Sequence, residues 1–430
     1  MHIHTIKTSR FPKNTEDGSP TKTSNVQSLS SLTQLVGSTM KPIYKLRLPV
    51  YLDYSSTTPA DPRVVEKMLP FLRHKFGNPA SRSHILGWET EAVVEKAREC
   101  VASLIKASSK EIVWTSGATE SNNLAIKAIA LSKHNKGKHI ITLKTEHKAV
   151  LDTCRYLESK GFIISYLAVN NNGLLDLALL NNCIQSGTIL VIIMYVNHEI
   201  GVIQNIEDIS RVCNKLRVPL HVDAAQAVGK VSINTSKTQI NTMSLTSHKA
   251  YGPKGVGVLY VNKANVFKVV PQMHGGGQEK GVRSGTLPTH QIVGMGKAYR
   301  LIYVEGLSEF KTTKQLNVFL VKELIYIVQA SVNGCLTARV PHNININIKY
   351  VEGEALMMSM KSICVSSGSA CTSSSLQPSY VLQAIGCIQN VHNSIRISIG
   401  RFTLASEVEY VTQVVSGKVK RLRQLSPLWV

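Results

Sequence analysis

Ile189-Leu190-Val191-Ile192-Ile193-Met194-Tyr195-Val196 is the longest apolar run in the 430-residue chain, and its reading decides the fold. It falls far short of the ~18 residues a membrane-spanning helix needs, and its β-branched content favours a strand buried on both faces. Shorter runs of the same kind flank it: Glu111–Trp114, His139–Leu143, Ile163–Leu167, Leu220–Val222 and Gly257–Val261. Stretches with helical spacing separate them. In Glu89–Ile105, for example, Ala92, Val93, Ala97, Val101, Leu104 and Ile105 share one stripe. Continuous apolar strands between helices predict an α/β fold, a mainly parallel sheet covered on both faces. Beyond Tyr299 the rhythm changes. A long helix is expected over Gln315–Val332, then a strand over Ile344–Ile348 and a helix from near Gly353, which together suggest a smaller α+β C-terminal domain. The expected division is a disordered extension over 1–39, a large domain over 59–303, and a small domain made of 44–58 and 304–430.

Lys and Arg number 49 against 27 Asp and Glu, for a net charge of +22. The basic residues are scattered singly, with no RNP, zinc-finger or basic-arm pattern. The expectation is a solvated basic surface without direct nucleic-acid binding, and an anionic substrate or cofactor suits the sign. Eight cysteines stand at 100, 154, 183, 213, 335, 364, 371 and 387. None forms Cys-x-x-Cys or is framed by His at zinc spacing, so reduced thiols and no resident metal are expected. No apolar signal-peptide core opens the chain, and residues 1–39 show no helical or strand period. Met40 is a plausible alternative start.

Four stretches carry chemistry. Ser116-Gly117-Ala118-Thr119-Glu120-Ser121-Asn122-Asn123 follows the run Glu111–Trp114. Its glycine permits a tight strand-to-helix turn whose free N–H groups and hydroxyl can cradle a phosphate, or it is an ordinary capped helix. Asp223, in Val222-Asp223-Ala224-Ala225-Gln226, closes a strand. There a carboxylate can hold a protonated ring nitrogen or cap a helix. Lys249, in Thr246-Ser247-His248-Lys249-Ala250-Tyr251-Gly252-Pro253-Lys254-Gly255, is placed to form a Schiff base. Cys371 lies in Ser366-Ser367-Gly368-Ser369-Ala370-Cys371-Thr372-Ser373-Ser374-Ser375, a run of small residues that leaves a thiol on a loop rather than in a core. The order of these elements (phosphate turn, ring acid, lysine) points to pyridoxal phosphate more than any one of them does. His147 could stack on a flat ring and move protons. Arg396 alternates with apolar residues and points inward, where it needs a carboxylate from a ligand or from the protein itself.

These residues, with Tyr51-Leu52-Asp53-Tyr54, Phe76-Gly77-Asn78-Pro79-Ala80-Ser81, Gly275–Gly277 and Arg283–Thr286, resemble the IscS/NifS-type cysteine desulfurases from about Pro49 to Trp429. The short Ser-Ser-Gly-Ser-Ala-Cys loop resembles the IscS branch rather than the SufS branch. The resemblance implies a homodimer with a PLP-dependent, aminotransferase-like (fold type I) large domain. It implies that Lys249 binds pyridoxal phosphate, that Ala118, Thr119, Thr246, Ser247 and His248 hold the phosphate side, and that Thr286 reaches it from the other subunit. It further implies Asp223 on the ring nitrogen, Gln226 on the ring hydroxyl, His147 over the ring and Arg396 on the substrate carboxylate. Cys371 is implied as the nucleophile that takes sulfur from L-cysteine as a persulfide, leaving L-alanine, and as a transient ligand of a nascent iron–sulfur cluster.

The implied acceptors are an iron–sulfur scaffold protein and other sulfur acceptors, including those of tRNA thiolation. Where this family reads Asn-Asn-Glu the chain has Asn197-His198-Glu199, so His198 is expected to alter cofactor tuning. Ser247 replaces a usual glycine and Gln377 a usual glutamate. The chain stops at Ser426-Pro427-Leu428-Trp429-Val430, without the tail that relatives use on the scaffold, which predicts weakened scaffold binding. The Met273–Gly277 stretch and Met40 suit a bacterial cytoplasm, with the mitochondrial matrix as the alternative. Two rival functions remain: another fold-type I PLP lyase or aminotransferase, which would need no loop nucleophile, and a drifted low-activity homologue acting as a binding platform.

Overall fold

β-branched runs that can satisfy their backbones only by pairing with one another build the centre of the molecule. A computed structural model of the chain describes residues 46–264, 269–367, 378–426 and 429. The strands in chain order are β1 (Val50–Tyr51), β2 (Ile112–Thr115), β3 (His139–Leu143), β4 (Ile163–Leu167), β5 (Thr188–Met194) and β6 (Leu220–Asp223). They continue with β7 (Thr242–Thr246), β8 (Gly257–Val261), β9 (Ala330–Val332), β10 (Asn343–Ile348), β11 (Ile363–Cys364) and β12 (Ser394–Ser398). A seven-stranded sheet has the order β2-β8-β7-β6-β5-β3-β4. β8 runs antiparallel to both its neighbours, and the pairs β3–β4, β3–β5, β5–β6 and β6–β7 are parallel. All seven residues of β5 are buried, as expected of a strand with helices over both faces.

The order of strands reverses between β3 and β5: the chain steps from β3 outward to β4, then returns to the other side of β3 to begin β5 and β6. Such a reversal opens a crevice beyond the carboxyl ends of the strands, where parallel sheets bind ligands. Asp223 is the last residue of β6 and Thr246 the last of β7, so both face this edge. The chain from Pro49 onward forms one compact unit, which also holds an antiparallel sheet β12-β10-β9 and the parallel pair β1–β11.

Three expectations are corrected. The long helix runs Thr289–Val328, not to Val332: Gln329 turns left-handed at φ 53°, and Ala330–Val332 pairs with β10 as a strand. Glu111 lies in a one-turn 3-10 helix, Ser109–Glu111, ahead of β2. It reaches back to cap that turn, its carboxylate accepting from Ser108 N at 2.9 Å. The helix expected over Glu89–Ile105 begins earlier, at Ile85, where His84 caps Gly87 N through its ring. The expected extension over 1–39 lies outside the described residues. Among the described residues no helix is long and apolar enough to cross a membrane.

Candidate active site

The phosphate-type turn is built by close backbone approach. A Cβ on Gly257, at the start of β8, would stand 2.6 Å from Gly117 Cα, so only a glycine there lets the turn settle onto the sheet. Gly117 begins the helix Ala118–Lys133 without any side-chain cap. Ala118 and Thr119 therefore sit in the first turn, where N–H groups lack intrahelical partners and the dipole favours an anion.

Asp223 is held rather than merely present. Its Oδ1 accepts from Ala225 N at 2.9 Å and its Oδ2 from Asn122 Nδ2 at 2.8 Å. Asn122 Oδ1 in turn meets His221 Nε2 at 2.9 Å, and His221 Nδ1 meets Thr242 Oγ1 at 2.9 Å. Burial pulls the His221 pKa down to about 4, so the ring is neutral, with its proton on Nε2 facing Asn122. This relay keeps Asp223 an acceptor aimed into the crevice. Asn122 lay in the sequence octet without a role, and His221 alternates with apolar residues as any core position does. No local signal marks either as support for Asp223.

Lys249 follows β7 in a loop strapped by the segment before the first long helix. The carbonyl of His248 accepts from Thr58 N at 2.8 Å and Thr58 Oγ1 at 2.9 Å, and His248 Nδ1 meets Thr57 Oγ1 at 3.1 Å. Burial, with the nearby Lys249 charge, depresses the His248 pKa to about 4. Thr246 Oγ1 and Ser247 Oγ are buried without hydrogen-bond partners. Native proteins rarely leave buried hydroxyls in that state, so each fits a ligand acceptor supplied from outside the chain.

His147 caps the helix Lys148–Glu158 with Nδ1 accepting from Ala149 N at 3.1 Å, which puts the neutral ring's proton on Nε2. Burial and the Lys249 charge lower its pKa. The His198 ring stands edge-on to it at 5.2 Å, fully enclosed, its pKa well below the usual range through burial, and Nδ1 has no partner. His198 is thus neutral and stands beside His147. Glu199, next in sequence, is pushed up to about 7 by burial and accepts from Ser379 Oγ.

Arg396 is buried on β12. Nη1 donates to the His198 carbonyl at 2.9 Å, and Nη2 donates to Asp53 Oδ1 at 2.8 Å and Ser56 Oγ at 2.7 Å. The carboxylate an inward arginine requires is partly supplied by the protein, while Nε is buried without a partner. Gln226 Nε2 donates to the Ser55 carbonyl at 2.7 Å, and its Oε1 accepts from Lys230 Nζ at 2.8 Å. Sequence reasoning gave no role to Asp53, Ser56, Glu199, Ser379 or Lys230, because their relation to the site is purely spatial. Thr286 is exposed in the single chain and bonded to none of these residues. Cys371 and Gln377 lie outside the described residues.

The residues around Lys249 fit pyridoxal phosphate: bare hydroxyls and an uncapped helix start for an anion, and a held carboxylate for a protonated ring. Comparisons with known proteins agree. The model of the class-V aminotransferases matches residues 50–411. Among curated relatives, the cysteine desulfurase IscS of Dechloromonas aromatica is 56% identical over 386 residues, covering 89% of this chain and 95% of its own length. That of Methylococcus capsulatus is 55% identical over 385 residues, 89% of this chain and 96% of its own. A solved NifS-like protein superposes with TM-score 0.81 at 35% identity, over 86% of this chain and 99% of that one. The chain therefore belongs to the class-V aminotransferase family, within its IscS cysteine desulfurases.

Proposed function

We propose that this desulfurase converts L-cysteine to L-alanine by passing the sulfur to Cys371 as a persulfide, with Lys249 as the covalent anchor of the cofactor. The carrying observation is the pairing at one sheet edge of a held carboxylate, Asp223, with buried hydroxyls that have no partner, Thr246 and Ser247. When bound, pyridoxal phosphate supplies an electron sink for the pair left when a bond at the amino-acid carbon breaks.

The chain's own residues do the rest. Ala118, Thr119, Thr246, Ser247 and His248 bind the phosphate side, Asp223 keeps the ring nitrogen protonated, and Gln226 takes the ring hydroxyl. His147 covers the ring and presents its Nε2 proton, the geometry that its helix cap dictates. Arg396 orients the substrate carboxylate with its remaining N–H groups, Nε among them. Cys371 forms the new S–S bond while the substrate's C–S bond breaks, and the electron pair stays with the carbon side.

The same family reading supports a homodimer in which Thr286 completes the partner's phosphate side. It also supports a large domain over 59–303 with a small domain from 44–58 and 304–430, although the helix Thr289–Val328 crosses that boundary unbroken. Delivery to iron–sulfur assembly, including transient cluster ligation by Cys371, and to tRNA thiolation belongs to the same proposal and rests on the resemblance to the IscS-type desulfurases. The bacterial sources of the IscS relatives support a cytoplasmic setting.

Purified protein should show a visible cofactor band that Lys249→Ala abolishes. Cys371→Ser should keep the band but form neither sulfide nor alanine from cysteine. A colourless wild type, or a fully active Cys371→Ser, overturns the reading.

A further inference from the structure

A glutamine amide has an oxygen at one end and a nitrogen at the other, and only the nitrogen end can donate to a ring oxygen. In this structure both ends of Gln226 are pinned. Nε2 donates to the Ser55 carbonyl, which can only accept, and Oε1 accepts from Lys230 Nζ at 2.8 Å. The Ser55 carbonyl admits only the nitrogen end and the Lys230 amine donates to the oxygen end, so both contacts fit the same orientation of one buried amide. The second Nε2 proton is left for a ligand.

Lys230 is otherwise poorly provided for. It keeps part of its surface open, yet with Lys249, Tyr251, Glu309 and His342 it lines a cavity of about 10 Å³ behind the lysine loop. Glu309, the carboxylate in that lining, is taken by Arg401 Nη2 at 2.8 Å. No carboxylate stands at ion-pair distance from Lys230 among the described residues, and its one hydrogen bond to a side chain there is to Gln226. Burial, then the charges of Lys249 and Arg396, depress its pKa to about 7. An enclosed amine without a counter-ion is a cost that an apolar side chain of similar size would avoid. Packing alone does not call for a lysine here.

We propose that Lys230 is a positioning residue for the cofactor: it grips the amide oxygen of Gln226 so that the amide nitrogen faces the ring hydroxyl. This rests on the role proposed for Gln226, and it accounts for a lysine placed where it lacks an ionic partner.

A double-mutant cycle tests it on the full-chain holoenzyme, with the dissociation constant for pyridoxal phosphate measured by equilibrium dialysis and the visible band recorded at each step. Lys230→Met should weaken cofactor binding about tenfold, the range expected for a charge-assisted hydrogen bond. Gln226→Ala should weaken it at least as much, and the double variant should be no weaker than Gln226→Ala alone. Lys230→Arg, which keeps a donor toward the amide oxygen, should recover binding to within about threefold of wild type. If Lys230→Met does not fold, Lys230→Leu, which likewise has no donor, takes its place in the cycle with the same expected coupling.

Wild-type affinity in Lys230→Met, or penalties that add in full in the double variant, overturns the proposal. A wild type without a Lys249-dependent band would instead overturn the proposed function. A coloured wild type with an uncoupled cycle removes only the role of Lys230.

Discussion

At the end of β6 both oxygens of Asp223 are taken, and the group that donates to one of them is itself held by a buried histidine. At the end of β7, the neighbouring strand, the hydroxyls of Thr246 and Ser247 are just as deeply buried and have no partner at all. The two ends of one cradle thus follow opposite rules. The Asp223 carboxylate is preorganised by the protein, since burying a carboxylate without hydrogen-bond partners is costly. The hydroxyls of Thr246 and Ser247, proposed to receive an anionic ligand, are left unmet, and the chain carries their desolvation.

The largest expected effect that tests this contrast is at the preorganised end. Asp223→Ala should cut the rate of sulfide formation by about 10³-fold at saturating cofactor, the scale of losing a preorganised electrostatic group. A rate within tenfold of wild type would show that Asp223 does not hold the ring. Asn122→Ala should come next. It strands Asp223 Oδ2 and leaves His221 Nε2 only the longer contact to Ser244 Oγ at 3.4 Å, so the cofactor-free protein should lose about 1–3 kcal/mol in urea unfolding.

Thr246→Val provides the opposite sign. Removing a buried hydroxyl that has no partner should leave cofactor-free stability within about 0.5 kcal/mol, while cofactor affinity falls about tenfold. If Thr246→Val destabilises as much as Asn122→Ala, the two ends are not built differently. The smallest effect should come from His198→Asn. The ring is neutral at ordinary pH, so no charge is lost, and the expected outcome is a shifted cofactor band with affinity changed about threefold. An unchanged spectrum would remove His198 from cofactor tuning.

Strands rich in β-branched and apolar residues were legible in the sequence, and β3, β4 and β8 have the expected bounds. β7 was not singled out. Thr242-Met243-Ser244-Leu245-Thr246 alternates polar and apolar, which reads as a half-exposed strand or a loop, yet all five residues are buried. Thr242 Oγ1 is satisfied by His221, so a polar position is central in the sheet because of a partner contributed by β6. The overrun of the long helix has a similar origin: Ala330–Val332 can continue a helix, and pairing with β10 decides otherwise.

In the site, Asp223 was singled out by its place at the end of an apolar strand, and Lys249 only by its order after the Gly117 turn and Asp223. Arg396 was legible only as inward-facing. That Asp53, more than 300 positions earlier, meets it at 2.8 Å is a fact of tertiary contact.

What the sequence determined by itself is the α/β alternation and the order along the chain of the Gly117 turn, Asp223, Lys249 and Cys371, because these depend on local residue type and spacing. Which polar groups are answered by the protein and which await a ligand was decided only in three dimensions. The free energy of a buried donor or acceptor depends on whether a partner stands within about 3 Å, and that partner comes from a distant part of the chain.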